Sequence, residues 1–268
     1  MTNTDAPPLV LLCGGEGQRM GQLAGTVPKP MLMVGGKPLL WHIMRGAAEH
    51  GTDEFVIAVG HLGHVIKDYF LRFDAYHGDI AVVLGAPPVV LPLHDKDEYG
   101  WRVTCVDTGD HALTGTRLRS LTRRITRWPI VLAYGDVLAD VDLGALLRYH
   151  RAHGRLATVT AARPPARFGE LAMADDQRVV RFEEKSEHGA GWVSAGFFVL
   201  EQEAVHRYVP PDRDVMFEHE PLRDLVADGQ LMAFKHDGYW QPVDTSKELQ
   251  LVDRQWQDHK APWKTWRS

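Results

Sequence analysis

Cysteine is scarce: the 268-residue chain has two, Cys13 and Cys105, each inside a short apolar stretch. No CxxC spacing offers a zinc site and no paired framework offers disulfides. Two small buried hydrophobes is the reading they support. Positive charge is not in excess either. Thirty Lys and Arg stand against 35 Asp and Glu, a net charge of −5, so there is no overall basic footprint for nucleic acid. The local cluster Arg117, Arg119, Arg123, Arg124 and Arg127 reads as a solvated helix face. No apolar run approaches the roughly 20 residues that cross a membrane. The polar first eight residues, ending in Pro7-Pro8, do not make a signal peptide. A cytoplasmic protein with neither nucleic-acid nor membrane partners is expected. There is no internal repeat and no low-complexity tract. What remains, 44% hydrophobic and 24% charged, is ordinary for a globular chain long enough to bury a core without staples.

Short apolar runs alternate with helical periodicity. Leu9 to Cys13, Phe55 to Val59 and Asp79 to Leu84 read as strands, with helices over Pro38 to His50 and His64 to Phe73 between them. The middle repeats the pattern: helix Arg117 to Ile125, strand Pro129 to Tyr134, helix Leu143 to His153, strand Leu156 to Ala161. This order predicts a mostly parallel sheet covered by helices on both faces. Arg178 to Glu183 and Trp192 to Leu200 alternate every two residues and predict antiparallel strands. Helices near Glu201–Tyr208 and Pro221–Asp228, a strand at Leu231–Lys235 and a helix from about Thr245 to Trp256 complete the chain. Gly85 to Arg102 has no clear period and is long for a plain connection, so a functional or interface loop is expected there.

Four constellations carry chemistry. The first is Cys13-Gly14-Gly15-Glu16-Gly17-Gln18-Arg19, followed by Pro28-Lys29-Pro30. Glycines after a strand let backbone N–H groups approach a phosphate chain, an arginine there can clamp phosphate oxygens, and a lysine about ten residues on can reach the same anion. Alone, such a loop fits a plain tight turn equally well. It is not a P-loop, because Gly17-Gln18-Arg19 stands where Gly-Lys-Ser/Thr is required. It meets the dinucleotide fingerprint only loosely, and Val59-Gly60-His61 offers no acidic residue after the second strand. The second is Tyr134-Gly135-Asp136 at the carboxyl end of a strand, where open parallel sheets bind ligands and a carboxylate suits a hard cation such as Mg²⁺. The third is Trp240 to Thr245, with Asp244 just before a helix. Taken singly, Asp136 reads as a turn residue and Asp244 as a helix N-cap; their joint presence with a phosphate loop shifts the balance toward a site. The fourth is Arg181 to Ser186, where Lys185 could meet a sugar phosphate and Glu184 sugar hydroxyls. Its plain reading is a charged strand end that keeps a sheet edge soluble.

These constellations, in this order, resemble the sugar-1-phosphate nucleotidyltransferases, most closely their glucose-1-phosphate cytidylyltransferase branch. The resemblance runs from Leu11 to Trp266 through GGKPLLWHIM (35–44), VIKDYF (65–70), VDTGD (106–110), LTGTRL (113–118), RFGEL (167–171), AGFFVL (195–200), EHEPL (218–222), GQLMAF (229–234), WQPVDT (240–245) and KAPWKTW (260–266). It implies one domain over residues 1–268 with a GT-A-like three-layer α/β/α fold: a mixed, mostly parallel sheet with a small antiparallel part. It implies an enzyme that joins CTP and glucose 1-phosphate into CDP-glucose and pyrophosphate, with another nucleoside triphosphate, or a modified sugar or cyclitol phosphate, as the alternative. By the same resemblance Arg19, Lys29, Lys185 and Asp136 are the catalytic set. Arg19 and Lys29 would hold the triphosphate with the loop residues Leu12, Gly14, Gly15, Gly17 and Gln18. Asp136 and Asp244 would hold Mg²⁺. Thr108, Gly109, Thr114, Arg117 and Gly135 would lie at the base and triphosphate. Tyr134, Gly169, Glu184, Lys185, Ser194 and Gly196 would lie at the sugar phosphate. A homo-oligomer, trimer or hexamer, is implied, with 85–102 as an interface. The chain departs from the family pattern at Gln18, Met20, Ser186 and Ser194-Ala195, the last of these bearing on the choice of sugar.

Overall fold

The computed structural model describes residues 6–15, 27–77, 79–84, 89–92, 100–164, 170–173, 177, 179–183 and 191–266. Its middle layer is a seven-stranded sheet of β1 (Leu9–Leu12), β2 (Glu54–Val59), β3 (Arg102–Asp107), β4 (Ile130–Tyr134), β5 (Ala157–Ala162), β6 (Val193–Leu200) and β7 (Leu231–His236), in the order β7-β5-β6-β4-β1-β2-β3. β1 pairs in parallel with β2 and β4, β2 with β3, and β5 with β7. β6 is antiparallel to both β4 and β5.

The central strands are apolar throughout because both faces are covered. Leu9 and Leu11 of β1 face one core, with side chains of α1 (Leu39–Glu49), α2 (Gly63–Leu71), α5 (Leu143–His153) and α8 (Ser246–Gln257); α3 (Phe73–His77) follows α2 at the edge of that face. Val10 and Leu12 face a second core shared with α4 (Thr114–Leu121), α6 (Gln202–Tyr208) and α7 (Glu220–Ala227). The expected three-layer α/β/α architecture is therefore present, with its strand order mixed as predicted.

One expected parallel strand is misplaced. Ile80–Val83 is extended, but it pairs antiparallel with Val89–Pro92 in a separate ribbon, and Val82 and Val83 stand exposed. The third parallel strand on that side of β1 is β3, at the end of the stretch read as a loop. β3 is exposed at Arg102 and Asp107 and only half-buried between them, as an edge strand is, unlike the fully buried β2.

A second ribbon was not foreseen, and it builds the site. Val137–Ala139 pairs antiparallel with Trp240–Pro242. The Val243 N–H then donates to the Asp136 carbonyl at 2.8 Å. Residues 136 and 244 are thus carried to the same end of the sheet. Below the ribbon, Trp256, Trp263 and Trp266 close over α1. His42, 1% exposed, meets Trp256 edge-on at 4.6 Å between ring centroids, and Trp41 meets Trp266 at 5.8 Å. The Trp263 indole N–H donates to His42 Nδ1 at 3.4 Å, so Nε2 carries the proton that His42 gives to the Val34 carbonyl at 2.9 Å. Burial first, and Lys37 nearby, push the His42 pKa down to about 4.

Candidate active site

The site begins where β1 ends. The Cys13 N–H still donates to Ala58 of β2, and the Gly135 N–H donates to the Leu12 carbonyl, so the first glycines start from a fixed strand end. Cys13 is buried, and that burial, then Asp136, raises its pKa well above an ordinary thiol; it is the inert hydrophobe its neighbours suggested. Gly14 lies flat against the Arg117 guanidinium. A Cβ there would sit 2.2 Å from Nη1.

Arg117 is one turn into α4, 4% exposed, and its guanidinium is surrounded by backbone. Nη1 donates to Thr108 Oγ1 at 2.6 Å, to the Gly109 carbonyl at 2.7 Å and more weakly to Val59 at 3.5 Å; Nη2 donates to the carbonyls of Gly14 at 2.9 Å and Asp110 at 3.0 Å. One side chain thus ties the glycine stretch, the end of β2 and the 108–110 loop together. This corrects the solvated-face reading of the arginine cluster. Arg119 is also engaged, donating to the Val205, His206 and Val209 carbonyls at the end of α6, a C-capping role. Arg127 pairs with Glu54 at 3.0 Å. Arg123 and Arg124 are exposed, as expected. Sequence spacing shows which arginines share a helix and not which carbonyls await them.

The amino end of α4 is completed by a distant segment. The N-cap, Leu113, has no polar side chain, and four N–H groups at such an end need partners. Asp214 Oδ1 accepts from the Leu113 N–H at 3.0 Å, and the Val215 carbonyl accepts from the Gly115 N–H at 3.0 Å. The Phe217 N–H donates to Thr114 Oγ1 at 2.9 Å. The VDTGD, LTGTRL and EHEPL segments are therefore neighbours in space.

Across the cleft, Lys29 opens a 3₁₀ turn (Lys29–Met31). Its Nζ lies 2.5 Å from Asp244 Oδ1 and 3.4 Å from Asp136 Oδ2, with little of its side chain exposed. Asp244 is not the N-cap of α8. Thr245 is, in a capping box with Glu248, which leaves the Asp244 carboxylate for the cleft. Burial first, and then Asp244, raise the Asp136 pKa, and Lys29 only partly offsets them. Two converging carboxylates with residual demand for positive charge are oxygen donors of the kind a hard divalent cation takes. The residues present fit such an ion.

Tyr134 closes the floor. Its ring passes so near Gly196, at φ 78°, that a Cβ there would lie 2.6 Å from the ring. Its hydroxyl donates to Glu218. The whole forms an open cleft of about 830 Å³ at the carboxyl ends of β1 and β4. Of the residues singled out in the sequence, Leu12, Gly14, Gly15 and Lys29 line it, as do Thr114, Arg117, Tyr134, Gly135, Asp136 and Asp244. Thr108 and Gly109 are not in its lining; they bear on it through Arg117. Ser194 and Gly196 stand on β6 and are not in the lining; Gly196 bears on the cleft through the Tyr134 ring. Gly17, Gln18, Arg19, Gly169, Glu184 and Lys185 lie outside the described residues. The sequence reading missed Asp214, Met216 and Glu218; the signal available was the EHEPL segment, in which nothing local separates Glu218 from Glu220.

Comparison with known proteins bears on what such a cleft does. A MobA-like NTP transferase domain matches residues 9–184, and a nucleotidyl transferase domain matches residues 125–258. The glucose-1-phosphate cytidylyltransferase of Salmonella typhimurium (strain LT2) is 40% identical over 96% of this chain and 98% of its own. The chain belongs to the glucose-1-phosphate cytidylyltransferase family of nucleotidyltransferases. A second member, from Bacillus subtilis and named "Probable glucose-1-phosphate cytidylyltransferase", is 37% identical over 96% of this chain and 99% of its own. The α/β nucleotidyltransferase fold is shared with HddC from Yersinia pseudotuberculosis, at a TM-score of 0.68 and 18% identity, covering 93% of this chain and 99% of that one. As a nucleotidyltransferase the chain is an enzyme, and no helix among its described residues is long and apolar enough to cross a membrane.

Proposed function

We propose that this chain transfers the cytidylyl group of CTP to α-D-glucose 1-phosphate, giving CDP-glucose and pyrophosphate. The observation that carries this reading is the 40% identity, over 96% of the chain, to an enzyme named for that reaction. The convergence of Lys29, Asp136 and Asp244 beside Gly14 and Gly15 in one cleft supports it. A phosphate oxygen of the sugar phosphate attacks the α-phosphorus in line, the bond to the β-phosphate oxygen breaks, and pyrophosphate leaves. Such a transfer asks a protein mainly for positioning and charge stabilisation. Arg19 and Lys29 hold the triphosphate, with backbone of Leu12, Gly14, Gly15, Gly17 and Gln18. Thr108, Gly109, Thr114, Arg117 and Gly135 shape the nucleotide side. Lys185 takes the sugar phosphate, and Glu184, Tyr134, Gly169, Ser194 and Gly196 take the sugar. Asp136 and Asp244 hold Mg²⁺, which when bound neutralises charge between the two phosphate groups. The protein works in the cytoplasm as one domain in a homo-oligomer, a trimer or hexamer with residues 85–102 at the interface.

The test is pyrophosphate release from glucose 1-phosphate with CTP, UTP, dTTP, ATP and GTP in turn, repeated with other hexose 1-phosphates because Ser194-Ala195 departs from the family. CTP with glucose 1-phosphate is expected to give the highest kcat/KM. Equal rates for all five nucleotides would overturn the cytidylyl assignment, and a preferred second sugar would overturn glucose.

A further inference from the structure

We propose that Glu218 is a positioning residue of this cleft, joining the strand end that bears Asp136 to the helix end on the nucleotide side; the proposal rests on the transferase reading above. Glu218 lies in the segment between α6 and α7. Its Oε2 accepts from Thr114 Oγ1 at 2.5 Å, and its Oε1 accepts from the Tyr134 hydroxyl. Tyr134 is the last residue of β4, two before Asp136, and its ring rests on Gly196 and meets Phe198 edge-on at 6.3 Å. Thr114 is the first residue of α4, one turn before Arg117. The three side chains therefore form a hydrogen-bonded strut from β6 and β4 to α4, spanning the floor of the cleft.

The direction of each bond is fixed. The Tyr134 phenol has one proton, and it points at a carboxylate oxygen that can only accept, so the phenol is the donor. Thr114 Oγ1 already accepts from the Phe217 N–H, so its own proton goes to the carboxylate. Both Glu218 oxygens thus accept, and its hydrogen-bond partners among the described residues are hydroxyls. With both oxygens engaged by protein hydroxyls from opposite walls, Glu218 is placed to hold those walls at a set separation, and misplacing reacting groups by about 1 Å costs on the order of 10²-fold in rate. Glu218 also forms, with Leu113 and Met216, the partition between this cleft and a neighbouring open groove. Truncation would breach that wall as well as cut the strut, so a shape-preserving variant is needed beside it.

The experiment is a double-mutant cycle on the full-length protein. Glu218→Ala, Glu218→Gln, Tyr134→Phe and the combined variants are assayed by pyrophosphate release with whichever nucleoside triphosphate the wild type turns over best. Melting temperatures are recorded alongside. Glu218→Ala is expected to lower kcat by on the order of 10²-fold while KM for each substrate moves less than about threefold. Glu218→Gln, which can accept one hydroxyl and donate to the other turned round, should recover roughly tenfold of that loss. Adding Tyr134→Phe should cost little further, because the strut is already cut. Independent, multiplicative losses would overturn the proposal, as would a kcat within about twofold of wild type or a loss confined to KM. If Glu218→Ala does not fold, the cycle of Glu218→Gln with Tyr134→Phe decides by the same criterion. A changed nucleotide preference in the wild type sinks the cytidylyl reading and leaves this test standing; no turnover with any nucleotide removes both.

Discussion

Replacing Arg117 by alanine should unmoor three loops at once. Five acceptors converge on its guanidinium: the carbonyls of Val59, Gly14, Gly109 and Asp110 and the Thr108 hydroxyl. All lie in a region where the side chain is 4% exposed. Hydrogen bonds to a charged group are worth about 1.5–3 kcal/mol each, but they are not additive. Removing the hub of a buried polar network sits near 3–5 kcal/mol. At an unfolding entropy of about 0.6 kcal/mol/K for a chain of this length, 4 kcal/mol lowers Tm by about 7 °C. Arg117→Lys keeps the charge but offers three donors without the planar fork, so it should recover only part of that loss. The assay is differential scanning calorimetry, paired with KM for CTP. Both should worsen together, because Gly14 and the 108–110 loop lose their common anchor. A Tm within 2 °C of wild type together with a raised KM would refute the reasoning: Arg117 would then act on the ligand and not on the fold.

The other predictions are briefer. Lys29→Met should melt about 4 °C lower in EDTA, since it strands two facing carboxylates at a cost of about 2 kcal/mol; Mn²⁺ should restore the Tm but not the turnover, and an EDTA Tm equal to wild type would remove the counter-ion role. Gly196→Ala, at φ 78° with its Cβ 2.6 Å from the Tyr134 ring, should lose about 2 kcal/mol or more in urea unfolding and lower kcat as the ring is pushed aside. His42 has a folded pKa of about 4 against about 6.5 unfolded, so the unfolded chain binds the extra proton. Its contribution is full above about pH 6.5 and is lost as pH falls, by up to about 1.4 kcal/mol per unit and roughly 3 kcal/mol in all near pH 4. Urea midpoints at pH 7 and pH 4.5 should converge more in His42→Gln than in wild type, and equal pH dependence would show that His42 carries none of it.

What the sequence made legible follows a physical division. β1, β2 and β4 were readable because strands buried on both faces are written as unbroken apolar runs. α1, α5 and α8 were readable because a single buried stripe imposes its period. Edge strand β3 and the ribbon Val137–Ala139 with Trp240–Pro242 were not, because a strand with one wet side or three residues carries too little pattern. In the site, the rule that ligands sit at the carboxyl ends of parallel strands located Asp136. It could not show that Lys29 lies 2.5 Å from a residue 215 positions away. Arg117 and Glu218 were hardest, since their importance depends on backbone carbonyls and hydroxyls supplied by distant segments, and a charged residue writes the same letter on a wet surface as in a buried network.

The ribbon that carries Asp244 also sets when the site can exist. Lys29 and Asp244 are 215 residues apart in sequence, and at 5–20 residues per second a ribosome needs about 10 to 40 seconds to make the second after the first. Until then Lys29 has at most one of its two aspartates, and the α1 face that Trp256, Trp263 and Trp266 will cover stays bare. A nascent chain therefore exposes both its largest aromatic seam and an incomplete cleft for most of its synthesis. Premature termination between residues 200 and 244 yields a polypeptide with at least six of the seven sheet strands and no assembled site.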